Sequence, residues 1–549
     1  MKKIILNLLL TILLVSTFSC ETAKEVQIEK EPYKFDWDAA TVYFLLTDRF
    51  NNGDKNNDLN FDRTAETGPL RNFMGGDIKG ITAKINEGYF DKLGIEAIWF
   101  SPVFEQIQGY VDEGSGLTYG YHGYWIKDWT NLDPNFGTME DLKEMIDTAH
   151  GRGIRILLDV VLNHTGPVTP VDPVWPESWV RTSPTCTYQN FETTANCTLV
   201  ENLPDIKTES IENVELPEAL VEKWKNEGRY EKEMAELDEF FKNTKYSKAP
   251  RFYIMKWLTD YIREFGIDGF RVDTAKHLRE DAWSELSILA HEAFKEWKEN
   301  NPNAVLDENK FFMLAEVYGY GISGKRNYNF GDRKVDYFDN GFKSLINFEF
   351  VYDAEKDYDF VFHKYDSLLN QPEMKKVTVM NYISSHDDGN PFDGARQKTI
   401  ESANKLLLTP GMAQIYYGDE SARSLEIPGT EGDATLRSFM NWEDLSNPET
   451  KNVFDHWSKL GQFRKLHKSI ANGTHQTITS EPYVFSRSFN KDKVVIGLEL
   501  NEGKKTVSVG EVFENGSVLI DSYSNTETVV NDGMVEINSP YKTVLLAYK

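Results

Sequence analysis

GIDGFRVDTAKH, residues 266–277, is the stretch whose reading decides the rest of the chain. Gly266 stops a helix, a short apolar strand follows, and polar residues gather at the strand's end. Side chains alternate faces along a strand, so Arg271 and Asp273 point one way while Phe270 and Val272 point the other. A guanidinium two residues from a carboxylate favours the ionised form that a nucleophile requires. Taken alone, the pair reads better as an Arg–Asp ion pair closing a strand. Chemistry becomes the better reading only if other strand ends supply partners.

Working outward, the same pattern repeats. Apolar runs ending in polar residues occur at TVYFLLTDRF (41–50), IEAIWFSP (95–102), IRILLDVVLNH (154–164), FFMLAEVY (311–318), KVTVMNYISSHDD (376–388) and MAQIYYGDE (412–420). VDYFDNGF (335–342) is read as one more strand, sixth in chain order, which brings the count to eight. Between the runs lie helical patterns: Leu142, Met145, Ile146 and Ala149 share a face, as do Trp257, Leu258, Tyr261, Ile262 and Phe265 ahead of Gly266. Continuous apolar strands alternating with helices indicate a parallel sheet covered on both faces. Eight such units predict a closed (β/α)8 TIM barrel of the α/β class. An open doubly wound sheet is the alternative, but no glycine-rich phosphate fingerprint follows the first strand. Asp48, Asn163, Asp273, Glu316, Asp387 and Glu420 fall just past the strands' C-terminal ends, where such barrels keep their active sites.

The chain has 549 residues, which alone suggests about three or four units, fewer if one is a large barrel. The barrel is expected over 38–164 and 251–470. Residues 165–250 form an insertion after the third strand, long enough to be a subdomain. Its second half is helical, with Tyr230, Met234, Leu237 and Phe241 on one face. Beyond 470, alternating segments at 483–489, 493–500 and 542–548 read as a C-terminal antiparallel β-sandwich, residues 471–549.

Residues 1–20 read as a processing signal: Lys2 and Lys3, an apolar stretch from Ile4 to Phe18, then Ser19-Cys20. Ending at a cysteine, it resembles a bacterial lipoprotein signal, with Cys20 lipidated and residues 21–37 as a tether. Thr17 and Phe18 depart from the usual box, which leaves plain export to the periplasm or medium open. Of three cysteines, Cys186 and Cys197 then remain close together, and in an exported protein they fit one disulfide; two free thiols is the other reading. Lys plus Arg is 60 against 87 Asp plus Glu, a net charge of −27. So acidic a chain does not suit nucleic acid or an anionic membrane surface, and membrane contact is expected only through a lipid anchor. A neutral ligand or a cation is compatible. The chain is expected to be a monomer.

Several motifs now stand in order: DVVLNH (159–164), GFRVDTAKH (269–277), MLAEVY (313–318) and ISSHDD (383–388), with GIEAIWFSP (94–102), LPDIK (203–207) and YYGDE (416–420) around them. Together they resemble the α-amylase family of glycoside hydrolases, from about residue 38 to the C-terminus. The resemblance implies a retaining enzyme acting on α-1,4-linked glucans through a covalent glycosyl-enzyme. Asp273 is then the nucleophile, Glu316 the general acid and base, and Asp387 the residue that binds sugar hydroxyls and favours ring distortion. Arg271 is expected to hold Asp273 ionised, and Glu316 to have a raised pKa. His122, Tyr124, His164 and His386 match positions around the cleaved sugar, and Lys276 and His277 match positions on the leaving-group side. Ser385 is a departure, since relatives usually carry Asn before the His-Asp pair.

The resemblance also implies calcium. One ion would be held by Asn163, Asp205 and the carbonyl of His277. A second would be held by Asn52, Asp54, Asn57, Asp58, the Gly75 carbonyl and Asp77, in a loop similar to that of cyclodextrin glycosyltransferases. Asparagine, aspartate and carbonyl oxygens are what calcium takes, though Asn-Asn-Gly-Asp is also an ordinary turn. With the barrel starting directly after the tether and the chain ending with one β-domain, a plain α-amylase is expected. A cyclomaltodextrinase, neopullulanase or transglycosylase on the same machinery is the alternative. A non-catalytic starch-binding surface lipoprotein is the rival of another class.

Overall fold

The computed structural model describes residues 34–549. The signal, Cys20 and most of the tether lie outside the described residues. Eight parallel strands close into a barrel in sequential order: β1 (Thr41–Leu45), β2 (Ala97–Phe100), β3 (Arg155–Val160), β4 (Gly269–Val272), β5 (Phe312–Ala315), β6 (Ser344–Asn347), β7 (Thr378–Asn381) and β8 (Met412–Tyr416). Apart from their polar ends, the strands are apolar runs, and every residue in them is buried. Both faces are covered, as continuous apolar runs require.

The sixth strand in chain order is not the one expected. Residues 335–342 turn instead: Asp336 accepts the backbone N–H of Phe338 and Asp339, and Gly341 takes φ 102°. The strand is the following Ser-Leu-Ile-Asn. Its polar ends hid it from a hydrophobic reading, yet inside the barrel Asn347 is satisfied, its Nδ2 donating to Tyr365 and Asn381.

The outer helices include α1 (Ile78–Asn86), α2 (Met139–Gly151), α3 (Glu218–Asn226), α4 (Tyr230–Thr244), α5 (Pro250–Phe265), α6 (Glu280–Asn300), α7 (Tyr358–Leu369), α8 (Thr399–Leu408) and α9 (Pro448–Leu466). Local chemistry sets their ends. Thr138 and Asp141 form a capping box that starts α2. Pro250 opens α5, and Gly266 closes it at φ 73°, where a Cβ would strike Trp297. That sharp stop aims the chain straight into β4.

Between β3 and α5 the long insertion carries α3, α4, a short pairing of Val180–Arg181 with Asp205–Ile206, and the Cys186–Cys197 disulfide. It is seated on the barrel by tryptophans. Trp179 packs on Trp175 and Trp257 at 5.1 and 6.4 Å, and Trp224 meets Trp257 edge-on at 6.1 Å. Buried aromatic pairs of this kind add about 0.5–1.5 kcal/mol each beyond their area.

After α9 the chain forms β9 (Thr474–Thr479), β10 (Tyr483–Phe489), β11 (Asp492–Leu498), β12 (Gly503–Ser508), β13 (Val518–Asp521), β14 (Thr526–Val529), β15 (Met534–Ser539) and β16 (Val544–Tyr548). Six of them make one antiparallel sheet in the order β9-β10-β11-β16-β13-β14, and β12 pairs with β15. Val495, Val507, Leu519, Val535 and Leu546 share a core between the two layers.

Candidate active site

The site grows from register. β4 lies between β3 and β5, so Arg271 stands opposite Asp159 on one side and Leu314 on the other. The ladder runs one residue past each strand: Asp273 N–H donates to Val160 O, and Glu316 N–H donates to Val272 O. Asp273 and Glu316 therefore emerge side by side at the barrel's C-terminal rim. Thr274, at φ 49°, turns the chain so that its N–H donates to Glu316 Oε2 at 2.8 Å.

Arg271, 1% exposed, is the junction of three carboxylates. Its Nη1 donates to Asp273 Oδ1 at 2.7 Å and to Asp159 Oδ1 and Oδ2 at 3.0 and 3.2 Å. Its Nη2 lies 3.3 Å from Glu316 Oε2. The guanidinium sits 4.8 Å from the Trp99 ring, whose Nε1 donates to Asp159, as does the Tyr124 hydroxyl.

Burial sets the titration of the two catalytic candidates. It pushes Asp273 up to about 6, with Arg271 pulling down and Asp159 and Asp387 pushing further up. It pushes Glu316 up to about 8, again against Arg271 and helped by Asp273 and Asp387. Arg271, expected to hold Asp273 ionised, does so by limiting a rise that burial drives. Glu316 is raised further than Asp273 and is the more readily protonated of the two. Asp387, with 36% of its side chain exposed, is different. Burial in the cleft pushes it up, but His386, Arg437 and Arg271 together bring it below its usual value. Ser385, where Asn was expected, donates to Asp387 Oδ1 at 3.2 Å.

Trp99, Arg271, Glu316, Phe348, Tyr382 and His386 line the cavity above these groups, together with Asp387. Tyr124 and His386 stack at 5.3 Å. His122 and His164 are tied to the Tyr124 main chain, through its N–H and its carbonyl. Burial lowers His164 and His386 to about 4 and takes His122 well below its ordinary value, so all three are neutral. Lys276 donates to Tyr318 O at 3.1 Å and faces the rings of Tyr318, Tyr188 and Tyr328. His277 Nδ1 meets Thr194 O at 2.9 Å, which docks the disulfide loop onto the turn after β4.

Two strand-end acids lie outside this chemistry. Asp48 accepts the N–H groups of Met74 and Gly75, and Glu420 accepts the hydroxyls of Tyr43 and Tyr89. Asp159, in contrast, has a place in the site that sequence reasoning missed. The available signal was a lone charge inside the apolar run 154–164, since a buried charge needs a partner.

Oxygen-rich clusters stand where a cation was expected. Asn52, Asn57 and Asn163 each bury a side-chain Oδ1 that has no hydrogen-bond partner. Asn52 Nδ2 bonds Asp58 Oδ1, and a Cβ on Gly75 would fall 2.5 Å from Asn52 and 2.7 Å from Asp58. Asp77 is more committed, accepting the N–H groups of Gly53, Asp54 and Gly80, and Asp54 pairs with Lys79 at 2.7 Å. At the other cluster, Ile206 N–H donates to Asn163 O, bringing Asp205 alongside. Burial pushes the Asp205 carboxyl up to about 8 although Arg181 Nε lies 2.7 Å away, so this group is short of positive charge. Orphaned amide oxygens beside carboxylates, as at both clusters, fit a hard cation.

Residues 44–449 match the family model "Alpha amylase, catalytic domain". The chain is 36% identical over 527 residues to a periplasmic alpha-amylase of Escherichia coli, covering 84% of this chain and 72% of that protein. It is 28% identical to a cyclomaltodextrin glucanotransferase of Niallia circulans, covering 84% of this chain but only 59% of that one. The solved structure of an Anoxybacillus alpha-amylase is similar in fold, with TM-score 0.64, 23% identity and coverage of 94% and 99%. On the closed barrel, the matched catalytic region and these relatives, the chain belongs to the α-amylase family of glycoside hydrolases.

Proposed function

We propose that this protein is an exported, calcium-stabilised α-amylase that hydrolyses α-1,4-glucosidic bonds of starch or maltooligosaccharides with retention. The observation that carries the reading is the Arg271 junction. One guanidinium bridges two carboxyl groups, Asp273 at about 6 and Glu316 at about 8. A retaining glycosidase needs one ionised and one protonated carboxyl beside the scissile bond, and this arrangement supports that division at neutral pH.

In the first step Glu316 gives its proton to the leaving glycosidic oxygen while Asp273 attacks the anomeric carbon. The ionised Glu316 then takes a proton from water, which attacks the glycosyl-enzyme and frees Asp273. Asp387, ionised and partly open to the cleft, is suited to accept sugar hydroxyls as positive charge grows on the ring. The neutral imidazoles of His122, His164 and His386 offer hydrogen bonds without adding charge. Tyr124 offers a ring face, and Lys276 and His277 border the leaving-group side.

Calcium would be held by Asn163, Asp205 and the His277 carbonyl in one place. In the other it would be held by Asn52, Asn57, Asp58 and the Gly75 carbonyl, with Asp54 and Asp77 behind them. An ion there neutralises carboxylates and fixes loops; no chemical step needs it. Export rests on the signal pattern of residues 1–20 and on similarity to a periplasmic relative, and lipidation at Cys20 on the pattern alone. Mass analysis of the mature N-terminus tests both.

The function is tested by a product profile from soluble starch, together with Asp273→Asn. Linear maltooligosaccharides from the native chain, and a variant that binds amylose without releasing reducing ends, are expected. Cyclic or longer transfer products would favour the transglycosylase reading, which the similarity to a cyclomaltodextrin glucanotransferase keeps in view. A native chain that binds amylose but releases nothing would make it a binding protein.

A further inference from the structure

On the outside of the barrel, helix α7 meets β9, the first strand of the C-terminal sheet. Asp359 and His363 are four residues apart on α7 and so share a face. His475 faces them from β9. One ligand-capable atom from each of the three lies within 4.8 Å of the other two, and Asp359 Oδ1 is 3.5 Å from His363 Nε2. Two hydroxyls complete the cluster. Thr477 Oγ1 is 3.1 Å from His363 Nε2 and 3.4 Å from His475 Nε2, and it donates to Asp359. The Tyr483 hydroxyl is 3.2 Å from His475 Nε2 and 3.3 Å from Asp359 Oδ1.

His475 is only 6% exposed, and its Nδ1 is buried without a hydrogen-bond partner. Burial first, then Arg487 and His363, push this imidazole down to about 2, so it is neutral and keeps a lone pair available. Neutral imidazole is the form a metal ligand requires.

We propose that Asp359, His363 and His475 form a binding site for a divalent transition cation, best matched by Zn2+, that ties α7 to the C-terminal sheet. Two imidazole nitrogens and one carboxylate oxygen are the donors Zn2+ takes. Calcium, which needs six to eight oxygens, is poorly served here. Bonds of about 2.0–2.1 Å in a tetrahedral site put neighbouring ligand atoms roughly 3.3 Å apart, the spacing Asp359 and His363 already have. His475 closes the remaining gap by a small ring movement, and the Thr477 hydroxyl supplies or vacates the fourth position. Asp359 and His363 are each about half exposed at their side chains, which leaves an entry path from solvent.

The test uses the full chain, stripped with chelator and then saturated with Ca2+ so that oxygen-only sites are filled. Titration with Co2+ is expected to give the visible absorption of a tetrahedral centre, and Zn2+ to displace it at one equivalent and raise the melting temperature. His363→Ala and Asp359→Asn, both at half-exposed positions away from the cleft, should weaken that equivalent at least about tenfold. Their metal-free melting temperature and starch hydrolysis should match the native chain. A native chain that shows no tetrahedral Co2+ spectrum overturns the site. So do variants that keep the spectrum and the Zn2+ equivalent unchanged.

Discussion

Arg271 stands directly across from Asp159 and donates Nη1 to both of its carboxylate oxygens, at 3.0 and 3.2 Å. The same nitrogen holds Asp273 at 2.7 Å. Asp159 thus fixes the group that fixes the proposed nucleophile, while its own charge pushes Asp273 upward.

Asp159→Asn should therefore show two effects. Losing a charged hydrogen-bond partner of a buried arginine costs about 1.5–3 kcal/mol, or roughly 10- to 100-fold in kcat, with amylose affinity little changed. Removing the negative charge also lowers Asp273, so the acidic limb of the kcat/KM profile should move to lower pH. A limb that stays in place or moves upward would contradict this role for Asp159.

The pH profile of the native chain should be a bell, rising with ionisation of Asp273 near 6 and falling with loss of the Glu316 proton near 8. Glu316→Gln should abolish hydrolysis and alter stability with a definite sign. In the unfolded chain Glu316 titrates near about 4.3. Folding raises it, so between those two pKa values the folded state binds more protons, and its contribution to stability falls as pH rises through the window. The melting temperature of Glu316→Gln relative to native should climb from pH 5 to pH 8, as thermal scans at matched ionic strength will read.

Chelation should lower the melting temperature by a few degrees, since an ion bound only by the folded state stabilises it by about 2.7 kcal/mol at a hundredfold excess over Kd. Calcium should restore it where magnesium, smaller and bound to its own waters, does not. Asn57→Ala removes one orphaned oxygen and should reduce the calcium-dependent shift while leaving kcat near native. An unchanged shift in Asn57→Ala would remove this loop from the calcium account.

The Cys186–Cys197 disulfide closes the loop that carries Tyr188 over Lys276 and meets His277 through Thr194. Replacing both cysteines by serine frees that loop. Losing one aromatic contact of about 0.5–1.5 kcal/mol should raise KM for maltooligosaccharides about two- to tenfold with kcat nearly intact. An equal fall in kcat would show that the loop supports the reacting groups themselves.

The sequence by itself determined the elements whose signal is local. Seven of the eight barrel strands, the Gly266 stop, the polar residues at strand ends and the cysteine pair all stand in short windows of the chain. Each follows from periodicity, a breaker or a count. Ser344–Asn347 was hidden because it begins and ends in polar residues, and a buried Asn347 becomes acceptable only once Tyr365 and Asn381 are beside it. Tertiary structure alone decided that Asp159 faces Arg271, since 112 residues separate them and only strand order and register bring them together. It also decided how far burial raises Asp273 and Glu316, the second further than the first. Charge balance depends on burial depth and on which groups share one guanidinium, and both are properties of the closed barrel rather than of any stretch within it.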